Sequence, residues 1–177
     1  LQIDTMQLAN DAELVFEGQV VSTRAEYIPG GNIYTWIDWL VTDIVIGNVE
    51  AGSVITLRFT GGIVGDLKLD VGSDIPIMGE RGIYFVEAQN GHLTNPLLGW
   101  AQGHFKILDD GSVLAGNNQR VVGITRDKGS PSGLSSGAAQ GVITATQTNF
   151  ATASKQLKNV KPISVDEFKS QFKGFVQ

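Results

Sequence analysis

The pattern nearest to a catalytic motif in this chain is the sequence GLSSG at residues 133–137, which matches the G-x-S-x-G element of serine hydrolases. In those enzymes a strand precedes the serine and a helix follows it, so that a tight turn exposes the hydroxyl. Here the flanking residues are rich in Gly, Ser and Ala, which favours a loop. Neither His92 nor His104 follows Ser135, whereas that fold places its histidine after the serine. We interpret the motif as a chance match and keep a serine-dependent or metal-dependent hydrolase as the alternative hypothesis.

Metal chemistry has few candidate ligands, because the sequence has two histidines and no cysteine. We expect His92 to be a turn residue and His104 to be a hydrogen-bonded structural imidazole in a strand. The remaining candidates are carboxylates that could take calcium: Asp66, Asp70, Asp74, Asp109 and Asp110. Their spacing fits no EF-hand loop, so we interpret them as solvated turn residues. The sequence therefore predicts no metal site, no cofactor and no catalytic residue.

Aromatic residues give the one positive indication of binding. Tyr34 and Trp36 share a strand face with Asp38, and Trp100 lies near Gln102 in a strand predicted at residues 97–108. Aromatic rings beside polar groups can bind sugars or peptides, and packing in the core is the alternative role for each ring. We name Tyr34, Trp36 and Trp100 as the candidate ligand-binding residues.

Composition narrows the classes of partner. The 177 residues carry 13 basic and 18 acidic side chains, for a formal net charge of −5, which argues against a nucleic-acid partner. No apolar run approaches the roughly 20 residues of a membrane-spanning helix. The sequence begins at Leu1, which a cleaved signal peptide or a trimmed N-terminus would explain.

The elements that must position these residues are mostly strands. Alternating apolar and polar residues predict about seven or eight short strands, separated by turn residues rich in Gly. The longest, at residues 33–46, has apolar residues on both faces, which is typical of a strand that bends around a barrel. The sequence Asp-Asp-Gly at 109–111 predicts a hairpin turn.

Helical signals lie at the two ends. Residues 4–14 predict a short helix capped by Asp4 or Thr5. Ser164 and Glu167 form a capping box before an amphipathic segment containing Phe168, Phe172 and Phe175.

Three regions follow from these signals. We predict an OB-like β-barrel domain at 1–128, an uncharged Gly/Ser/Thr-rich loop or linker at 129–162, and a C-terminal helix at 163–177 packed on the barrel. Residues 142–146 could pair as an edge strand. The uncharged tract at 129–154 is a candidate for self-association into an oligomer.

The glycine-spaced β segments carry a resemblance to known proteins. The segments in question are residues 12–21, 34–35, 41–47, 61–62, 79–85 and 102–105. They resemble a set of bacterial exported proteins without assigned function and, more distantly, the netrin-like modules of tissue inhibitors of metalloproteinases. The resemblance implies an OB-type barrel and a periplasmic or secreted location. Those inhibitors place an N-terminal cysteine against the protease zinc, and this chain has no cysteine, so that mechanism does not transfer.

The fold expected from the sequence is therefore mainly β: an OB-like, closed or partly closed antiparallel barrel with added strands, a short N-terminal helix and a docked C-terminal amphipathic helix. The expected function is a non-catalytic exported binding module. Its partner is expected to be a protein or peptide, with a secreted protease as one candidate, and a self-assembling structural protein is a further alternative.

Overall fold

The computed structural model describes residues 1–90, 92–126, 137–145 and 161–176. Its elements in chain order are α1 (Thr5–Asp11), β1 (Leu14–Ile28), β2 (Asn32–Ile46), β3 (Val54–Thr60), β4 (Gly62–Val64), β5 (Leu67–Leu69), β6 (Arg81–Val86), β7 (His104–Ile107), β8 (Val113–Leu114), β9 (Val121–Ile124), β10 (Val142–Thr144) and α2 (Val165–Lys173). A short 3-10 helix, Trp100–Gly103, precedes β7.

Six strands form one antiparallel sheet in the order β3-β2-β1-β6-β7-β8. β4 pairs with β5, and β9 pairs with β10, in separate two-stranded ladders. Within the described residues no ladder joins β3 to β8, so the sheet is open. The predicted mainly β, antiparallel architecture with two helices is confirmed. The sequence allowed a closed or a partly closed barrel, and the described residues do not form a closed one.

Both helices begin where local sequence signals place them. The Asp4 side chain accepts a hydrogen bond from the Gln7 backbone N–H at 2.8 Å, and the Gln7 side chain accepts one from the Asp4 N–H at 3.0 Å. At α2, the Ser164 hydroxyl oxygen accepts from the Glu167 N–H at 3.1 Å. These contacts satisfy N–H groups that have no partner within the helix, and they confirm the predicted N-caps at Asp4 and Ser164. Of the capping box predicted at Ser164 and Glu167, the described residues show the Ser164 contact alone.

One face of the sheet packs against the helices, and we call this cluster the helix-side core. Phe85 and Phe105 from β6 and β7 meet Phe168 and Phe172 from α2. The ring centroids of Phe85 and Phe172 lie 4.8 Å apart, as do those of Phe105 and Phe168. Such contacts bury large apolar areas and dock α2 on the sheet, as predicted.

A polar contact fixes α2 over the two longest strands. Lys169 Nζ lies 2.8 Å from Glu17 Oε1 on β1 and 2.7 Å from Asp43 Oδ2 on β2. Burial opposes the charge on the amine, but the two carboxylates outweigh it and raise the pKa of Lys169. The helix is therefore positioned by charge as well as by its phenylalanines.

The opposite face of the sheet forms a second cluster, the inner core. Trp39 contacts Phe16 and Tyr84 at centroid distances of 5.6 and 5.0 Å, and all three side chains are fully buried. Gly18 and Gly82 face each other across β1 and β6, beside these rings. A Cβ on Gly82 would lie 2.7 Å from the Tyr84 hydroxyl, so the position has no room for a side chain. The glycine spacing in the sequence thus reflects ring packing within strands as well as turns.

The β1–β2 pair divides into two halves. In the closed half, residues 14–19 of β1 lie between β2 and β6. At Val20 the second edge of β1 is covered by the loop at 79–80, whose Gly79 N–H donates to Val20 O at 3.0 Å. In the open half, residues 22–28 of β1 pair with β2 alone within the described residues.

The predicted loop or linker at 129–162 is described only at 137–145 and 161–162. There, β10 pairs with β9, which confirms the strand expected at this position, and Ala138, Ala139 and Val142 are buried in the helix-side core. Ser135 and most of the tract predicted for self-association lie outside the described residues. The domain boundaries at 128 and 162 stay predictions.

Candidate functional site

Tyr34 and Trp36 lie side by side on the outer face of the open half. Residues 33, 35 and 37 of β2 are buried, so the alternation of the strand turns Tyr34 and Trp36 to the other face, where both are half-buried. Their ring centroids are 6.1 Å apart with an interplanar angle of 70°. The structure thus brings two of the three candidate binding residues together outside both cores.

Two arginines from the neighbouring strands complete this face. Arg24 on β1 and Arg58 on β3 are both opposite Trp36 in the strand register. The Arg24 guanidinium carbon is 4.8 Å from the Trp36 ring centroid, and that of Arg58 is 4.3 Å from the Tyr34 centroid. These are cation–π distances, worth about 0.5–1 kcal/mol each at an exposed site. We call Arg24, Tyr34, Trp36 and Arg58 the aromatic–arginine face.

The two guanidinium groups differ in their remaining partners. Arg24 also forms an ion pair with Glu26, two residues along the same strand face. Arg58 makes no ion pair or hydrogen bond through its guanidinium within the described part of the chain. Its N–H groups can therefore donate to a carboxylate that approaches from solvent.

An apolar groove of about 360 Å³ runs along the opposite face of the open half. Its lining includes Thr23 and Ala25 of β1 together with Ile63, Ile77 and Met78. The last three side chains are 62%, 69% and 62% exposed, which is high for large apolar residues grouped together. The open half thus presents an aromatic and charged face on one side and an apolar groove on the other.

Trp100 lies in a different place from the other two candidates. It is 38% exposed and lines a second groove of about 450 Å³, together with Leu1, Ile3 and Leu98. The strand predicted at 97–108 is wrong at this point, because Gly99 and Trp100 have positive φ angles of 64° and 58°. A left-handed backbone breaks a strand and is uncommon for a bulky residue, so β7 begins only at His104.

His104 is buried in a polar cluster beneath the inner core. Its Nε2 lies 2.7 Å from Glu80 Oε2, the same oxygen that accepts the Tyr84 hydroxyl at 2.7 Å. Its Nδ1 lies 3.3 Å from Asp74 Oδ2 without the alignment of a hydrogen bond, and Lys106 Nζ is 3.8 Å from that oxygen. The sequence interpretation of His104 as a bonded structural residue is confirmed; its carboxylate partners were missed because they come from a loop with no local signal.

The cluster shifts the ionisation of its members. Burial alone would lower the pKa of His104, but Asp74 and Glu80 outweigh burial and raise the pKa to about 8. Burial, reinforced by the Glu80 charge, raises the pKa of the Tyr84 hydroxyl. Since His104 is 1% exposed, the arrangement orders the loop at 74–80 and offers no access for a substrate.

The other chemical candidates do not converge. His92 is exposed, and the side-chain partners of His104 are Glu80 and Asp74 rather than His92. Asp70 accepts the Gly72 N–H at 2.9 Å, which is a turn contact. In the ranges that the structure describes, no group of His, Asp and Glu is arranged to hold a metal ion.

Comparisons with known proteins add no constraint on this site. No protein-family model matches the chain, and no curated protein or solved structure matches it either. Among the described residues, no helix is both long enough and apolar enough to cross a membrane.

Proposed function

We propose that this protein is a non-catalytic, exported binding module that recognises a protein or peptide partner through its aromatic–arginine face. The observation that carries the proposal is the placement of Tyr34 and Trp36 together, partly exposed, with an arginine against each ring. Trp, Tyr and Arg are the residue types that most often dominate the binding energy of protein interfaces.

The chemistry of the aromatic–arginine face indicates which chemical groups its partner should carry. The aromatic rings offer apolar surface, and the Arg58 guanidinium can donate to an oxygen acceptor because no carboxylate of the described residues pairs with it. A segment with a carboxylate beside an apolar or aromatic side chain would use both features. Export, and a secreted protease as one candidate partner, rest on the resemblance to exported and netrin-like proteins.

The test begins with a pull-down from the native extracellular fraction on immobilised protein. The retained partner is identified by mass spectrometry, and its dissociation constant is then measured by calorimetry. We expect Trp36→Ala to raise the dissociation constant by about thirtyfold, the effect of losing a dominant interface residue. Circular dichroism verifies that the variant is folded.

Trp100→Ala is the matched control, because it removes the same side chain from an exposed position outside the face. Unchanged binding by Trp100→Ala together with weak binding by Trp36→Ala supports the proposal. The reverse result would move the site to the Trp100 groove. Equal binding by both variants and the unmodified protein would show that neither tryptophan contributes to partner binding.

A further inference from the structure

The second edge of β1 in the open half offers unpaired backbone groups. In an antiparallel ladder, alternate residues direct both N–H and C=O away from the strand partner. For residues 22–27 these groups have no hydrogen-bond partner within the described residues. The closed half ends at Val20, where Gly79 and Glu80 cover the edge, and a register shift between Val20 and Ser22 follows. An edge of this kind is a template for one more strand.

The side chains on this edge are complementary to themselves. Two copies related by a two-fold axis perpendicular to the sheet pair antiparallel and present the same face. The numbers of any two residues that lie opposite each other therefore add up to the same even number. With Ala25 on the axis, Arg24 of each copy faces Glu26 of the other. With Arg24 or Glu26 on the axis, two like charges face each other directly, which is unfavourable.

From this complementarity we propose that a second copy of this chain pairs with residues 22–28 of β1, centred on Ala25, and forms a two-fold symmetric dimer with a continuous sheet. Edge strands often carry charge to prevent such pairing. Here the charges have opposite signs two residues apart, and their side chains are 59% and 43% exposed. They therefore select one register rather than blocking association.

The opposite face of the edge also fits this arrangement. Thr23, Ala25 and Tyr27 share one side of β1, and in this register Tyr27 of one copy faces Thr23 of the other. Tyr27 is 46% exposed, and Thr23 lines the same groove as the exposed Ile77 and Met78. A second copy would thus cover apolar surface on one side and exchange ion pairs on the other.

The dimer does not require the proposed partner binding, although Arg24 takes part in both and the dimer would place two aromatic–arginine faces on the same side of one sheet. It also differs from self-association through residues 129–154. For comparison, the edge strand β3 carries a single charged residue, Arg58, and lacks this pattern.

Sedimentation equilibrium over a roughly hundredfold range of protein concentration tests the proposal. We expect the unmodified protein to dimerise. Arg24→Glu and Glu26→Arg, each alone, should raise the dimer dissociation constant about tenfold or more, because each puts like charges opposite one another. The double variant Arg24→Glu/Glu26→Arg should dimerise like the unmodified protein, and an equimolar mixture of the two single variants should form a heterodimer.

Lys161→Glu makes the same charge change as Arg24→Glu, but at an exposed residue before α2, and it should leave the dimer unchanged. An unmodified protein that is monomeric at every concentration would overturn the proposal, as would single variants that dimerise normally. Failure of the double variant to recover would overturn the Ala25-centred register. The Trp36 binding measurement can be made on a monomer or a dimer, so none of these outcomes decides the proposed partner binding.

Discussion

The closed and open halves of the β1–β2 pair differ in what surrounds the same two strands. In the closed half, β1 has a strand on each edge and a packed core on each face, and Trp39 is fully buried. In the open half, β1 has one strand partner among the described residues, and Trp36 is partly exposed beside Arg24. Continuous strands can thus serve the stability of the fold at one end and present a surface for recognition at the other.

Replacing each tryptophan in turn is the strongest test of this difference. Trp39→Ala should lower the free energy of unfolding by about 3–5 kcal/mol, because it leaves a cavity among the rings of the inner core. Trp36→Ala, three residues away in the same strand, should lower it by only about 1–2 kcal/mol, since it removes a partly exposed ring with its contacts to Arg24 and Tyr34. Urea unfolding of both variants measures the two values, and equal losses would contradict the division.

The ion pairs of Lys169 anchor α2 to the closed half. Lys169→Met should lower the free energy of unfolding by about 2–3 kcal/mol, because Glu17 and Asp43 lose a charged hydrogen-bond partner. Lys173→Met, on the exposed side of the same helix, is the control and should change it little. A loss as large for Lys173→Met would show that net charge, rather than this contact, is responsible.

The His104 cluster makes the closed half sensitive to pH. The folded protein stabilises the imidazolium, whose pKa rises from 6.5 to about 8, so its contribution is complete below pH 6.5 and is lost as the pH rises through 8. We expect the free energy of unfolding to fall by about 2 kcal/mol across that interval. Chemical denaturation at a series of pH values measures this.

His104→Gln should flatten the dependence in that interval, although the variant is less stable at every pH. His92→Gln, which changes the exposed histidine, should keep the dependence. A dependence that survives His104→Gln would assign it to another group.

The smallest effect is expected at the second arginine of the open half. Arg58→Gln removes one cation–π contact with Tyr34 and should lower the free energy of unfolding by only about 0.5–1 kcal/mol. The same change should weaken partner binding if Arg58 donates to a carboxylate. Thermal unfolding and calorimetry on one sample separate the two effects; a large stability loss with unchanged affinity would place Arg58 among the structural residues.

The sequence predicted those parts of the fold that depend on neighbouring residues. The caps at Asp4 and Ser164 and the alternation along β2 are local patterns, and each appears in the structure. The sequence also predicts that Tyr34 and Trp36 lie next to each other, because residues two apart in a strand share a face.

The features that were missed depend on contacts between distant segments. The carboxylates around His104 come from Asp74 and Glu80, which lie 30 and 24 positions earlier in the chain, and no spacing rule connects them to His104. The arginines over Tyr34 and Trp36 become visible only once the register of β1, β2 and β3 is known. The sequence predicts a strand at Trp100, because the alternation of apolar and polar residues does not reveal a left-handed backbone.

The meeting of α1 with α2 has a consequence for the order of folding. The Asn10 amide donates to the Phe175 carbonyl across a sequence separation of 165 residues, and Met6 and Leu8 share the helix-side core with Phe168. Segments this far apart must close a long loop before their contact contributes, which slows assembly. During synthesis α1 therefore has to wait for α2 to emerge, and until then the phenylalanines of β6 and β7 are a surface that a chaperone would recognise.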